Sequence, residues 1–160
     1  MPRRVFFSFH YERDVHRVMQ VRNSWLLRPG GEASPFYDKA EFEDVKRRAG
    51  GIERWIEDQL AGTSVTVVLF GRETSTRRWV RHEIKRSFEL GKGLLAIDIH
   101  NVKHPQNGTD LPGANPLSTF TVGREATPMD RLYSQYDWVL DDGYNNIGLW
   151  VEAAARAANR

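Results

Sequence analysis

An α/β fold, a three-layer sandwich around a central, mainly parallel sheet, is predicted by two observations. The runs Val5-Phe6-Phe7-Ser8-Phe9, Val65 to Phe70 and Leu94 to Ile99 are almost continuously apolar. Such runs suit strands covered on both faces better than strands with a wet side. Helical periodicities stand between and after them, and that alternation implies parallel strands with helices packed on both faces.

Taken in order, Val5 to Phe9 reads as a central strand. Val15, Val18, Met19 and Arg22 then recur at helical spacing, with Arg13, Asp14, Arg17 and Gln20 elsewhere around the wheel, so a first helix is expected to end near Asn23-Ser24. Leu26 to Tyr37 carries Arg28-Pro29-Gly30-Gly31 and Ser34-Pro35 and reads as a long loop without a second strand. Glu41 to Arg48 suggests a short charged helix. After Gly50-Gly51, the residues Ile52, Trp55, Ile56 and Leu60 mark an amphipathic helix that Gly62 is placed to end. Val65 to Phe70 is the second clear strand. Thr74-Ser75-Thr76 offers hydroxyl caps for the helix carrying Val80, Ile84 and Phe88, which Gly91 and Gly93 stop. Leu94 to Ile99 is the third. Asn101 to Pro116 is rich in proline, glycine and polar residues and reads as a loop over the strand ends. Leu117 to Val122 and Tyr136 to Leu140 are weaker strands. Asp141-Asp142-Gly143 is a turn, and Ile147, Trp150, Val151, Ala154 and Ala158 define the last helix.

With 160 residues and 40% apolar composition, one core is affordable, so residues 1–160 are expected to form a single domain. The chain has no cysteine, which excludes disulfides, thiolate metal sites and thiol nucleophiles. No apolar stretch approaches membrane-spanning length and no signal-peptide core follows Met1-Pro2-Arg3-Arg4, so a cytoplasmic protein is expected. Lysine and arginine exceed aspartate and glutamate only as 23 to 21, too small a surplus to point to nucleic acid. No G-x-G-x-x-G follows the first strand and no G-x-x-x-x-G-K-[ST] is present, so dehydrogenase and P-loop readings fall.

The segment Trp79-Val80-Arg81-His82-Glu83-Ile84 opens a helix just after a buried strand and sets one carboxylate beside an apolar stripe. Together with Phe7-Ser8-Phe9, Arg22-Asn23-Ser24, Val65 to Phe70, Gly91-Lys92-Gly93-Leu94 and Ile97-Asp98-Ile99-His100, in that order and spacing, it resembles a TIR domain, specifically the TIR-like family of Thoeris-type antiphage systems. The resemblance implies a flavodoxin-like, TIR-like sandwich. It implies Glu83 as the catalytic carboxylate, with Trp79 a turn earlier beside it. It also implies cleavage of the nicotinamide–ribose bond of NAD, with a cyclic ADP-ribose isomer made as an infection signal for a separate effector. NAD is then a substrate, and no cofactor or metal is expected. The partners implied are a phage-derived trigger and further copies of the same chain.

One carboxylate is chemically adequate for that reaction. Glycosidases need a second carboxyl group to protonate the departing oxygen. The nicotinamide of NAD is already cationic and leaves neutral, so a single anion can stabilise the charge developing on the ribose. Phe9, Tyr11 and Trp79 are candidates to stack on or wall the substrate, Ser8, His10 and Asn23 to hydrogen-bond its ribose or phosphates, and Arg22 and Arg77 to meet the pyrophosphate.

Plainer roles stand beside these. By spacing alone, Glu83 forms a surface ion pair with Arg86, and Trp79 is a packing residue. Ser8 fills a crowded position, and Asp98, His100 and His104 are ordinary polar residues at a strand end rather than a metal site. A non-enzymatic TIR-like interaction or nucleotide-binding module therefore stays open as the alternative. A receiver domain fits less well, because Ser8-Phe9-His10-Tyr11 stands where its acidic cluster is needed.

Overall fold

The computed structural model describes residues 3–33 and 50–160. In chain order the elements are β1 Arg3–Ser8, α1 Tyr11–Leu26, β2 Gly31–Ala33, α2 Gly51–Leu60, β3 Val65–Phe70, a 3-10 turn Thr74–Thr76, α3 Arg78–Glu89 and β4 Gly93–Asp98. A second 3-10 turn Pro116–Thr119, β5 Thr121–Val122, β6 Thr127–Pro128, α4 Met129–Leu132, β7 Gln135–Asp137 and α5 Gly143–Ala157 follow. The sheet runs in the order β2-β1-β3-β4-β7, and all of its pairings are parallel. β5 and β6 form a separate antiparallel hairpin.

Alternation along the strands divides the core between the two faces of the sheet. Val5, Phe7, Val65, Val67, Leu69, Leu95 and Ile97 pack with Val18, Val21 and Trp25 of α1 and with Ile147, Val151 and Ala155 of α5. On the other face, Val68, Phe70, Leu94 and Ala96 meet Val80 and Ile84 of α3, while Phe6 meets Ile52, Ile56 and Leu60 of α2. Every residue of β3 and β4 is buried, as strands covered on both faces require. The three predicted strands and the α/β class are thus observed. Among the described residues no helix is long and apolar enough to cross a membrane.

Four local expectations are corrected. The stretch from Leu26 to Tyr37 contains a strand after all: Gly31, Glu32 and Ala33 pair with Arg3, Arg4 and Val5. Three residues without a β-branched side chain carry no readable period. What holds them is tertiary, since Trp25 Nε1 donates to the Glu32 carbonyl at 2.8 Å and a methyl at Gly31 would lie 2.2 Å from the Trp25 carbonyl oxygen. Thr74, Ser75 and Thr76 form a 3-10 turn rather than caps, and Arg77 stands at the N-cap of α3 with no side-chain cap. Leu117 to Val122 is a 3-10 turn leading into the short β5, because Asn115 accepts the Leu117 N–H at 2.9 Å and turns the chain. The buried face of α1 is rotated from the expected stripe and includes Asp14 and Arg17. Arg17 Nε donates to the Val102 carbonyl at 2.9 Å and its Nη2 to that of Gly108 at 3.0 Å, so a loop, not solvent, receives this cation. The helix suggested at Glu41 to Arg48 lies outside the described residues.

Lys92 joins the end of α2 to the start of β4. Its Nζ donates to the carbonyls of Leu60 and Thr63 and, at 2.7 Å, to Thr63 Oγ1. Removing it strands buried acceptors, so Lys92→Met is expected to lose about 1–3 kcal/mol in a urea melt. Burial pulls the amine from its ordinary 10.5 down to about 8. Between those values the unfolded chain holds a proton that the folded chain has released, so wild-type stability gains with rising pH in that window. The variant is expected to lack that slope.

Candidate active site

α3 buries Val80, Glu83, Ile84 and Ser87. This is the i, i+3, i+4, i+7 stripe of an amphipathic helix, with a carboxylate in one core-facing position. Glu83 is only 7% exposed, and burial drives its carboxyl well above the ordinary carboxylate range. The surface ion pair with Arg86 does not form. Arg86 instead bonds Glu57 through Nε and through Nη2 at 3.2 Å, and Glu89 at 2.8 Å.

Ser8 ends β1 and is fully buried. Alternation turns it to the same face as Phe6, towards α2 and α3. Its hydroxyl is the one described group that pulls the Glu83 carboxyl back towards ionisation, yet Oγ completes no well-formed hydrogen bond with any described residue. Trp79, one turn before Glu83, is half-buried against the Phe6, Ile52, Ile56 and Leu60 cluster. The Arg78 guanidinium lies 4.7 Å from its ring centre and the His82 ring meets it edge-on at 5.7 Å. Ser8, Trp79 and Glu83 are thus brought to one face of the sheet.

The other candidates are placed differently. Phe9 packs against the α1–α5 core, with its ring 6.2 Å from that of Tyr11. His10 sits at the N-cap of α1 without capping it. Burial, then Arg77, lowers its pKa. Asn23 is exposed in the last turns of α1, about 18 Å along the helix from Tyr11 at 1.5 Å per residue. Helical rise carries it away from the strand ends where Ser8 lies. Arg77 precedes α3 and lies 3.8 Å from Glu73, whereas Arg22 belongs to the far half of α1.

Sequence reasoning missed a buried knot beneath the loops that lead into α3. Asp14, 1% exposed, accepts from Thr74 Oγ1 at 3.3 Å, and that same hydroxyl accepts the Gly71 N–H at 2.8 Å. Burial pushes the Asp14 carboxyl up against the pull of Thr74, Arg13 and Arg17. A methyl at Gly71 would lie 2.8 Å from both Asp14 oxygens, and one at Gly113 would lie 2.2 Å from the Gly71 carbonyl oxygen. Arg13 adds ion pairs to Glu73 at 3.3 Å and Asp110 at 2.6 Å. The available signal was that Asp14 falls on the stripe of Val18, Val21 and Trp25 at spacings of four, seven and eleven.

Two further features lie apart from Glu83. Asp98 and His100 are joined by Asp137 rather than His104, with possible ligand atoms all within 4.8 Å of one another. Several of their polar atoms are engaged at the strand ends. His100 Nδ1 lies 2.6 Å from Asp98 Oδ1, and Asp137 accepts from Asn101 Nδ2 and from the N–H groups of Val139 and Leu140, each at 2.9 Å. The His104 ring instead stands edge-on to His16. A groove of about 410 Å³ opens at the other end of β4, between Phe88, Lys92, Leu132, Tyr133, Trp150 and Ala154.

Comparison with known proteins adds two findings. Residues 6–104 match the family described as Thoeris protein ThsB, TIR-like domain. The chain is also 32% identical to ThsB1 of Bacillus cereus (strain MSX-D12), by its name a candidate cyclic ADP-D-ribose synthase, over an alignment of 191 residues. That alignment covers 94% of this chain and 100% of the relative.

Proposed function

Because this chain belongs to the family of Thoeris ThsB TIR-like proteins, we propose that it is an antiphage-defence enzyme that cleaves NAD at the nicotinamide–ribose bond and closes the product into a cyclic ADP-ribose isomer. The observation that carries the reading is the buried carboxyl of Glu83, which has no cationic partner among the described residues that act on it. An anion there is costly until a cation arrives. The nicotinamide riboside end of NAD supplies one, and the positive charge moves onto the ribose carbon as the bond breaks. The bonding electrons leave with nicotinamide, which departs neutral and needs no acid.

Closure then requires a nucleophile of the same molecule to reach the ribose carbon before water, with the proton it carries passing to the Glu83 carboxylate, whose proton affinity burial raises. Tethering favours it through proximity. Trp79, half-buried a turn before Glu83, is placed to wall the reacting end. His10 and Arg77, at the entrances to α1 and α3, are the candidates for the phosphates. Ser8 keeps a role on this face, whereas the position of Asn23 supports no substrate contact. The cyclic product would diffuse to a separate effector, a phage-derived trigger would switch synthesis on, and self-association would accompany it.

NAD turnover read by chromatography and mass spectrometry tests the reading, comparing wild type with Glu83→Ala in extracts of infected and uninfected cells. Nicotinamide plus an ADP-ribose isomer is expected only from infected wild type. Equal turnover by folded Glu83→Ala would overturn Glu83 as the catalytic residue, and none from oligomer-competent wild type in infected extract would overturn the activity.

A further inference from the structure

Ser8 was expected to contact substrate, but a side chain with no exposed surface meets a ligand only if the groups covering it move aside. Its hydroxyl nevertheless faces a polar task. A buried hydroxyl with no partner carries a penalty that folding retains only where the group is used. The other hydroxyls on this face are already committed. Ser87 Oγ donates to the Glu83 backbone carbonyl at 2.7 Å, which spends its only proton, so in the 2.6 Å contact between Thr66 and Ser87 it is Thr66 that donates. Those two bonds fix the helix backbone at Glu83 and leave its carboxyl to be held by something else.

We propose that Ser8 is the positioning residue for Glu83: its hydroxyl donates to the carboxylate once that group ionises, fixing one oxygen while the other faces the cationic ribose. The inference rests on Glu83 being the reacting carboxyl.

No charged group competes for the role among the described residues. On α3, Arg86 is bound to Glu57 and Glu89, His82 stands edge-on to Trp79, and Arg81 lies over Phe120. Lys92, between α3 and β4, is spent on Leu60 and Thr63. From the loop after β1, His10 answers to Arg77 and Glu73, and from the first turn of α1, Asp14 answers to Thr74, Arg13 and Arg17. Among the described residues, the Glu83 carboxyl is acted on by burial and by Ser8 alone. An oriented donor beside a buried anion holds it without adding charge.

The test is Ser8→Ala, with Ser8→Cys as a volume-matched weak donor in case alanine lowers fold stability. Carbon-13 NMR of the Glu83 carboxyl, assigned by its loss in Glu83→Gln, is expected to titrate at higher pH in both variants. With NAD, kcat is expected to fall about tenfold, with KM within about twofold and the acid limb of the pH profile moved upward. A wild-type titration in either variant would overturn the proposal, as would a raised KM with unchanged kcat, which marks a substrate contact. If the NMR shift appears while wild type and Glu83→Gln turn over NAD alike, the coupling stands and Glu83 is not the reacting group.

Discussion

Glu83→Gln is expected to lower turnover about 10²–10³-fold or more while making the protein harder to melt. The two effects have one cause. A glutamine keeps the size of the side chain and removes the charge that burial penalises, at a position where 7% of the residue meets solvent. The raised carboxyl gives the sign. Above the ordinary carboxylate range the folded chain holds a proton that the unfolded chain has released, so stability falls as pH climbs from that range through the raised value. The variant has no such slope. Its gain should therefore be absent near pH 4 and present near pH 8, at about 2–4 °C in melting temperature per kcal/mol recovered. Thermal melts at the two pH values check it, and equal gains at both would mean that the charge is not what the substitution relieves. A catalytic carboxylate kept at the expense of stability is the usual trade at an active site.

Gly113→Ala should damage both stability and turnover from outside the candidate site. The added methyl would sit 2.2 Å from the Gly71 carbonyl oxygen and 2.6 Å from that of Arg72. Both are backbone atoms, which cannot swing aside as a side-chain end can. Gly71 cannot retreat either, because its own Cα faces the Asp14 carboxyl. The strain passes to the segment from Gly71 to Arg77, which Thr74 anchors to Asp14 and which leads into α3. Overpacking of this kind costs about 1–3 kcal/mol. In a urea melt the midpoint should drop, and at temperatures where the variant is still folded kcat should fall by about tenfold or more through misplacement of α3. Wild-type turnover with a lowered midpoint would separate this loop from the chemistry.

The parts of the fold that were legible are those whose burial is continuous. β1, β3 and β4 are covered on both faces, so Val5, Val67 or Ile97 announces itself in composition alone. β2 could not be read, since Gly31, Glu32 and Ala33 are strand only because Arg3 to Val5 and Trp25 hold them there. Glu83 was ambiguous in spacing, standing at the margin of a stripe with Arg86 three residues on, and the family pattern decided for the site. Burial and the engagement of Arg86 by Glu57 and Glu89 exclude the surface ion pair as the role of Glu83. Asp14 failed for the opposite reason. A charged residue is assigned to solvent by default, and only the meeting of α1 with the loops after β3 and β4 shows that its carboxyl is enclosed.

β7 has a consequence beyond the reaction. It stops after Gln135, Tyr136 and Asp137 because the Asp137 carboxylate accepts the backbone N–H groups of Val139 and Leu140 and curls the chain out of line. An open strand edge is a template for strands of other molecules. Here the free edge is too short to seed a ladder, so this border of the sheet offers no template for cross-β aggregation even where the protein is concentrated.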